Sequence, residues 1–140
     1  NWEDVDSLEQ AVLDKTSSFD LALIRGARRL VGKYVIDHAE VEYNGISLAD
    51  TILSTYPVRT VQEYVMMYVH MLGEDAEGSF VYLGIMFSAL QIRGCTVFLD
   101  RREDVELTIL KSPPEDASDA PSDVHLLLRP GHYDLIYADS

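Results

Sequence analysis

Residues 128–137 have the sequence Leu-Arg-Pro-Gly-His-Tyr-Asp-Leu-Ile-Tyr. Pro130–Gly131 suits a type II turn, because proline presets the second position and glycine accepts a positive φ at the third. The residues that follow predict a strand, in which successive side chains point to opposite faces. His132 and Asp134 are therefore expected on one face of that strand, beside each other and directly after the turn.

A histidine with a carboxylate two strand positions away can serve as a general base. The carboxylate accepts one ring N–H, which sets the tautomer and the orientation of the imidazole, as a cysteine or serine hydrolase requires. The pair alone is weak evidence, because most such pairs are solvated strand surface. Tyr133 and Tyr137 belong to the opposite face, and we expect both to pack inward.

The longer stretch Val124–Tyr137 resembles the C-terminal end of the otubains, ovarian-tumour-type cysteine proteases that cleave ubiquitin linkages. Ser79–Leu90 followed by Thr96–Asp100 is similar to the helix and strand that precede the histidine strand in that family. Ser17–Tyr43 and Thr60–Met71 fall where otubains have helices. The resemblance implies an otubain-like, papain-type α+β fold over residues 1–140.

The same resemblance implies that His132 is the general base and Asp134 the residue that orients it. The family nucleophile lies in an Asp-Gly-Asn-Cys segment, which is absent from this sequence. Cys95 is the single cysteine and lies in Arg-Gly-Cys-Thr, where we interpret it as a buried packing residue. The chain is thus expected to be the C-terminal, histidine-bearing part of an otubain-like domain, incomplete and inactive by itself.

Three functions remain open. The chain is the histidine-bearing part of a cysteine protease that hydrolyses ubiquitin isopeptide linkages, or a non-catalytic otubain-like scaffold, or an unrelated α+β domain whose tail matches by chance. The expected partners under the first two are ubiquitin or polyubiquitin and a ubiquitin-conjugating enzyme. A second chain or a missing segment is expected to cover an apolar face of the sheet or of the helix at 79–91 and so complete the fold.

Composition narrows the class of protein. The chain has 140 residues, 47% of them hydrophobic, enough for a core, and a net charge of −13, which disfavours nucleic acid. No apolar run reaches the ~20 residues that span a bilayer, so no membrane segment is expected. One cysteine fits a reducing compartment, cytoplasmic or nuclear.

The start at Asn1, without methionine, suggests a piece of a longer polypeptide. Neither metal-ligand spacing nor a glycine-rich phosphate loop is present, so no metal or cofactor is expected.

Helices precede strands along the chain, which predicts an α+β fold with a small antiparallel or mixed sheet. Asn44–Gly45 is interpreted as a helix stop, Ser47 as an N-cap, and Thr60 with Glu63 as a capping box. The predicted helices are 3–14, 18–43 (started by Ser17 and Asp20), 47–53, 60–71 and 79–91. The predicted strands are 95–100, 105–110, 124–128 and 132–137, with a turn-rich connector at 73–78 and an acidic loop at 111–123.

Other polar residues have simpler interpretations. His38 and His70 are expected at the boundary of helices, and His125 on an exposed strand face. One basic stripe follows helical spacing on this acidic chain, formed by Arg25, Arg28, Arg29 and Lys33. It is either a solvated helix face paired with nearby acids or a docking surface for an acidic partner.

Overall fold

A computed structural model describes residues 5–14, 18–71, 80–99, 108–112, 121–129 and 132–137. The chain divides into two compact units, residues 1–77 and residues 78–140. Helices dominate the described part of the first unit, and a four-stranded sheet dominates that of the second. The predicted α+β class is confirmed, whereas the assignment of residues 1–140 to a single domain stays a prediction. Among the described residues, no helix is both long and apolar enough to cross a membrane.

The first unit is built from short helices around a small apolar core. Its elements are α1 (Val5–Leu13), α2 (Phe19–Asp37), β1 (Glu42–Tyr43), β2 (Ile46–Ser47), α3 (Leu48–Thr55), α4 (Val61–Tyr64) and a π-helix (Val65–Val69). The fully buried side chains are those of Val31, Val35, Ile52, Tyr64 and Val69. Helix α2 thus packs against α4 and the π-helix, and α3 packs against α4.

Helix α2 ends earlier than predicted. The sequence pattern predicted a helix to Tyr43, but α2 ends at Asp37, and a β1–β2 hairpin follows it. Asn44 and Gly45 form the hairpin turn, with φ of 54° and 80°. Two consecutive positive φ values are what a two-residue hairpin turn requires, and Asn-Gly accepts them at little cost. The interpretation of Asn44–Gly45 as a helix stop is therefore wrong.

The predicted caps Ser47 and Thr60 are confirmed, but the Thr60–Glu63 capping box is formed only in part, because Glu63 Oε2 accepts from the Arg59 N–H at 2.7 Å instead of from the Thr60 N–H. The Ser47 hydroxyl accepts a hydrogen bond from the Asp50 N–H at 2.9 Å and caps α3. The Thr60 hydroxyl accepts one from the Glu63 N–H at 3.0 Å and caps α4. In each case the side-chain oxygen satisfies a backbone donor that has no partner within the helix. Ser17, proposed to start α2 with Asp20, lies outside the described residues.

The second unit consists of one helix and one mixed sheet. Helix α5 (Phe80–Leu90) precedes β3 (Gly94–Phe98), β4 (Thr108–Ser112), β5 (Val124–Arg129) and β6 (His132–Ile136). The strand order is β4-β3-β5-β6, and β3 and β5 are parallel while the other two pairs are antiparallel. The predicted connector at 73–78, Pro130–Gly131 and most of the acidic loop lie outside the described residues.

An ion pair joins the beginnings of the two parallel strands. Arg93 donates from its backbone N–H to Asp123 Oδ2 at 2.9 Å and from Nη2 to Oδ1 at 3.1 Å. The hydrogen bonds and the charge of Arg93 outweigh the loss of hydration and hold the pKa of Asp123 below its usual value. Because the carboxylate stays ionised at neutral pH, it helps align Gly94 of β3 with Val124 of β5.

Helix α5 covers one face of the sheet. Leu83 and Phe87 of the helix pack with Leu126 of β5, and Tyr133 of β6 joins this cluster. Gly94 lies directly under the Phe87 ring, because a Cβ added at Gly94 would be 2.3 Å from Phe87 Cε2. The alternation of strand side chains therefore leaves the other face of the sheet without this helix.

The close approach at Gly94 predicts a specific loss of stability. Gly94→Ala should destabilise the fold by about 1–3 kcal/mol, since the added methyl overpacks the space that Phe87 fills. Gly26→Ala is the matched control, because an added Cβ there meets nothing within 4 Å on helix α2. That control should instead stabilise by up to about 1 kcal/mol. Urea unfolding monitored by circular dichroism measures both, and equal changes would contradict the packing at Gly94.

Candidate active site

The β5–β6 hairpin brings the predicted site residues together at the edge of the sheet. Arg129 pairs with His132 across the hairpin, and Leu127 pairs with Asp134. Residues directly opposite each other in antiparallel strands share a face. These four side chains therefore lie on the sheet face opposite to α5, and β6 is the edge strand of the described sheet.

The Asp134 carboxylate contacts two basic side chains at once. His132 Nε2 lies 3.0 Å from Asp134 Oδ1, and Arg129 Nη2 donates to Oδ2 at 2.6 Å. Each oxygen thus has its own partner, so Arg129 does not displace His132. Arg129 also limits rotation of the carboxylate, because turning it away would break the charged hydrogen bond.

The hydrogen bond to Asp134 defines the histidine tautomer. An ionised carboxylate has no hydrogen to donate, so the hydrogen between the two groups must be on His132 Nε2. In the neutral ring the lone pair is then on Nδ1, which has no hydrogen-bond partner among the described residues. The ring is therefore oriented with its proton-accepting nitrogen away from Asp134.

Arg129 lowers the pKa of Asp134. Loss of hydration raises the pKa of the Asp134 carboxyl. The hydrogen bond and charge of Arg129, with smaller contributions from His132, together lower this pKa by more than the loss of hydration raises it. The net result is a pKa below the usual value. The side chains of His132 and Arg129 are 62% and 52% exposed, so the ion pairs are screened by water. They orient the imidazole more than they stabilise the fold.

The two tyrosines of this segment behave differently. Tyr133 packs against the core of the second unit, as predicted. Tyr137 is 82% exposed, so the prediction that it packs inward is wrong. It follows the last residue of β6, and no strand in the described part of the chain pairs with it.

Cys95 is too far from His132 to serve as its nucleophile. It is half-buried on β3, and the register aligns it with His125 and then with Ile136 on β6. Two strand spacings and four residues along β6 place the Cα atoms of Cys95 and His132 about 16 Å apart. Thiol-to-imidazole proton transfer needs hydrogen-bond distance, so Cys95 takes no part in this site.

The other histidines have separate environments. The His38 ring stacks on Tyr34 at 4.0 Å, and its Nδ1 lies 2.9 Å from the Tyr34 carbonyl oxygen, as a structural histidine does. His125 is half-buried, so its predicted exposure is wrong; β5 is an inner strand with a neighbour on each side. No group of three or more metal-ligating side chains occurs in the described ranges.

Sequence reasoning missed the role of Arg129. Its position directly before Pro130–Gly131 indicates only the first residue of a turn. The signal was present, because a two-residue turn between Arg129 and His132 makes them directly opposite, and an arginine there reaches a carboxylate two positions along the partner strand. Which carboxylate oxygen it selects depends on the side-chain geometry.

The sequence that forms this site matches a known protein family. The family model described as Peptidase C65 Otubain matches residues 5–138. The chain belongs to the otubain family. The resemblance noted in the sequence is thus confirmed, while the catalytic roles of His132 and Asp134 stay predictions. A comparison with curated protein sequences found no significant match.

Solved structures share this fold. The structure of h/ceOTUB1 with ubiquitin aldehyde and UBC13~Ub is similar, with a TM-score of 0.75 at 19% identity. The match covers 96% of this otubain chain and 48% of the OTUB1 chain. The complex of h/ceOTUB1 with ubiquitin aldehyde and UBCH5B~Ub has a TM-score of 0.68 at 16% identity, over 94% and 46%. The OTUD1 OTU domain has a TM-score of 0.52 at 19% identity, over 91% and 77%. The chain therefore spans about half the length of the OTUB1 chains.

The role of Arg129 predicts a change in the titration of Asp134. Arg129→Gln should raise the pKa of Asp134 towards the ordinary ~3.9, because the hydrogen bond and charge that lower it are removed. Carboxyl carbon NMR shifts followed against pH measure this. Arg93→Gln is the matched control, which should raise the pKa of Asp123 and leave that of Asp134 unchanged.

The lowered pKa of Asp134 makes the stability of the fold depend on pH. A carboxyl with a lowered pKa in the folded state stabilises the fold above its unfolded pKa, and this contribution is lost as the pH falls through the folded pKa. Wild type should therefore exceed Arg129→Gln in stability at neutral pH, and the difference should vanish in acid. A difference that persists at the acid end would mean that Arg129 acts through packing rather than through Asp134.

Proposed function

We propose that this otubain chain is the histidine-bearing part of a cysteine protease that hydrolyses ubiquitin isopeptide linkages. His132 is the general base and Asp134 the residue that orients it. The observation that carries the proposal is the His132 Nε2 to Asp134 Oδ1 contact of 3.0 Å, which leaves Nδ1 as the acceptor. Arg129 is a positioning residue, since its hydrogen bond to Oδ2 holds the Asp134 carboxylate in place.

In the proposed reaction a cysteine thiol from another segment gives its proton to His132 Nδ1. The thiolate attacks the carbonyl carbon of the ubiquitin C-terminal glycine, and the imidazolium then protonates the departing lysine amine as the isopeptide bond breaks. Water next attacks the thioester, again with His132 accepting a proton, which releases ubiquitin and restores the thiol. Atoms and charges balance without any cofactor.

The nucleophile-bearing segment is proposed to cover the sheet face opposite to α5. His132 and Asp134 lie on that face, so a thiol that reaches His132 has to approach from it. The face also has apolar side chains that remain in contact with water, Ile109 at 57% and Ile136 at 38% exposed. A segment that packs there would remove apolar surface from water and bring the thiol to the imidazole in one step.

The proposed partners are ubiquitin or polyubiquitin and a ubiquitin-conjugating enzyme. The similar OTUB1 structures contain ubiquitin aldehyde together with UBC13~Ub or UBCH5B~Ub. A net charge of −13 favours basic partner surfaces at the distances over which charges act. A cytoplasmic or nuclear location is part of the proposal, since a single cysteine fits a reducing compartment.

A non-catalytic scaffold is the second candidate function. The observation that favours it is the position of Cys95, the single cysteine, about 16 Å from His132 by strand geometry. A scaffold would use the same otubain fold to bind ubiquitin or a conjugating enzyme without hydrolysis. The two functions differ in one respect, which is whether His132 matters once a cysteine-bearing segment is present.

The chain by itself is predicted to be inactive. Incubation with ubiquitin propargylamide should give no covalent adduct, because Cys95 is half-buried within β3 and lies about 16 Å from His132 by strand geometry. Intact-mass spectrometry detects the adduct, with a complete otubain as the positive control. Capture of the probe at Cys95 would contradict the assignment of Cys95 as a packing residue.

His132 should become essential once a cysteine-bearing otubain segment is supplied in cis or in trans. His132→Ala should then abolish cleavage of a ubiquitin–lysine isopeptide substrate, and Asp134→Ala should cost less, because it removes orientation rather than the proton acceptor. His125→Ala, a histidine on the neighbouring strand, is the matched control and should retain activity.

Cleavage rates and thermal melts are measured together for these variants. Equal losses for His132→Ala and Asp134→Ala at unchanged stability would mean that Asp134 does more than orient the ring. Full activity without His132 would exclude the catalytic function and leave the scaffold.

A further inference from the structure

A cavity of about 210 Å³ on the first unit is lined by Arg25, Arg28, Arg29 and His70. The three arginines occupy positions i, i+3 and i+4 of α2, so they share one helix face. Each lining side chain is positively charged or can become so. The site lies on a different unit from His132 and Asp134 and is independent of the proposed protease function.

Two of the lining residues are held by contacts between α2 and the π-helix. Arg28 Nη1 donates a hydrogen bond to the carbonyl oxygen of the buried Val69 at 2.9 Å. The His70 ring lies against the backbone of Gly32, since a Cβ added there would be 2.6 Å from His70 Nε2. These contacts fix one side of the cavity before any ligand arrives, which lowers the entropy cost of binding.

Arg25 and Arg29 have charges that the rest of the described chain does not balance. In the ranges that the structure covers, neither side chain makes an ion pair or a hydrogen bond, whereas Lys33 on the same helix pairs with Asp37. Like charges at i and i+4 repel each other and destabilise a helix. Lys33 is therefore paired with a nearby acid, as the solvated-face interpretation predicts, whereas Arg25 and Arg29 are exposed and have no paired acid among the described residues.

The dimensions and the charge of the cavity select the ligand. Its volume is below the ~300–1,000 Å³ of pockets that enclose drug-sized molecules, so a compact group fits better than a nucleotide. The chain's charge of −13 disfavours a long polyanion. A phosphate monoester has a charge of about −1.5 to −2 and three acceptor oxygens, which match several guanidinium forks better than one carboxylate does.

We propose that this cavity binds a phosphate monoester, with Arg25 and Arg29 closing around it and Arg28 and His70 as its pre-positioned wall. Two sources share this chemistry, a phosphoserine on a protein segment and a small soluble phosphate ester. The guanidinium groups would each donate to phosphate oxygens, and the bound dianion would remove the repulsion between Arg25 and Arg29.

The test is isothermal titration calorimetry on the intact chain at low ionic strength. The probes are inorganic phosphate, a short phosphoserine peptide and the same peptide without phosphate. Wild type should bind one phosphate probe per chain, and Arg25→Gln/Arg29→Gln should weaken binding by about ten-fold or more, the loss expected for one charged hydrogen bond. The control variant Lys33→Gln/Arg59→Gln also removes two positive charges, but at positions that do not line the cavity. It should change the affinity less than about two-fold.

A second variant separates geometry from folding. Arg25→Lys/Arg29→Lys keeps the charge but loses the planar fork, so it should fold as wild type by circular dichroism and still bind phosphate several-fold more weakly. Tighter binding of the phosphopeptide than of inorganic phosphate would assign the ligand to a protein partner, and equal affinities would assign it to a small ester. Three results would overturn the proposal. They are equal weakening in the cavity and control variants, equal binding of the phosphorylated and unphosphorylated peptides, and no saturable binding of any phosphate probe.

Discussion

Tyr133 is the residue on which the geometry of the candidate site depends. Its ring packs with Leu83, Phe87 and Leu126 between α5 and the sheet, and this burial selects one orientation of β6. Side chains of a strand alternate, so the orientation that buries Tyr133 also puts His132 and Asp134 on the opposite face. A shift of one residue in the β5–β6 register would bury the charged pair, which costs far more than the hairpin gains. The core thus positions the site.

The site has the parts of an oriented base but not of a complete protease. Arg129 and His132 each contact one oxygen of Asp134, which lowers the pKa of the carboxyl and holds the imidazole in one tautomer. All three side chains remain accessible to water, so their hydrogen bonds contribute little to stability. A nucleophile segment that packs on this face would exclude that water and strengthen the same contacts. The arrangement is therefore consistent with a site completed by another part of the fold.

The net negative charge and the basic cavity act on partners over different distances. A net charge of −13 acts over the ~8 Å screening length of physiological salt and biases which proteins approach the chain. Arg25 and Arg29 act at contact distance, where guanidinium geometry matters more than the total charge. An acidic otubain can thus repel nucleic acid and still present a site for a single compact anion.

Local sequence determined the features that need only a few residues. The Thr60 and Ser47 caps were predictable because each depends on one hydroxyl and one backbone donor three residues away. The strand after Pro130–Gly131, the shared face of His132 and Asp134, and the otubain family itself followed from one short string. Gly45 was misinterpreted because Asn-Gly ends helices and also turns hairpins, and the choice depends on whether the flanking residues find strand partners.

Tertiary structure decided what depends on distant contacts. The parallel pairing of β3 with β5, the close packing of Phe87 on Gly94 and the exposure of Tyr137 all depend on neighbours far along the chain. The separation of Cys95 from His132 is of the same kind, since it depends on strand order rather than on sequence spacing. The sequence by itself therefore determined which residues of this otubain have the required chemistry. Packing and strand order decided which of them meet, because side-chain contacts form only after the chain has folded.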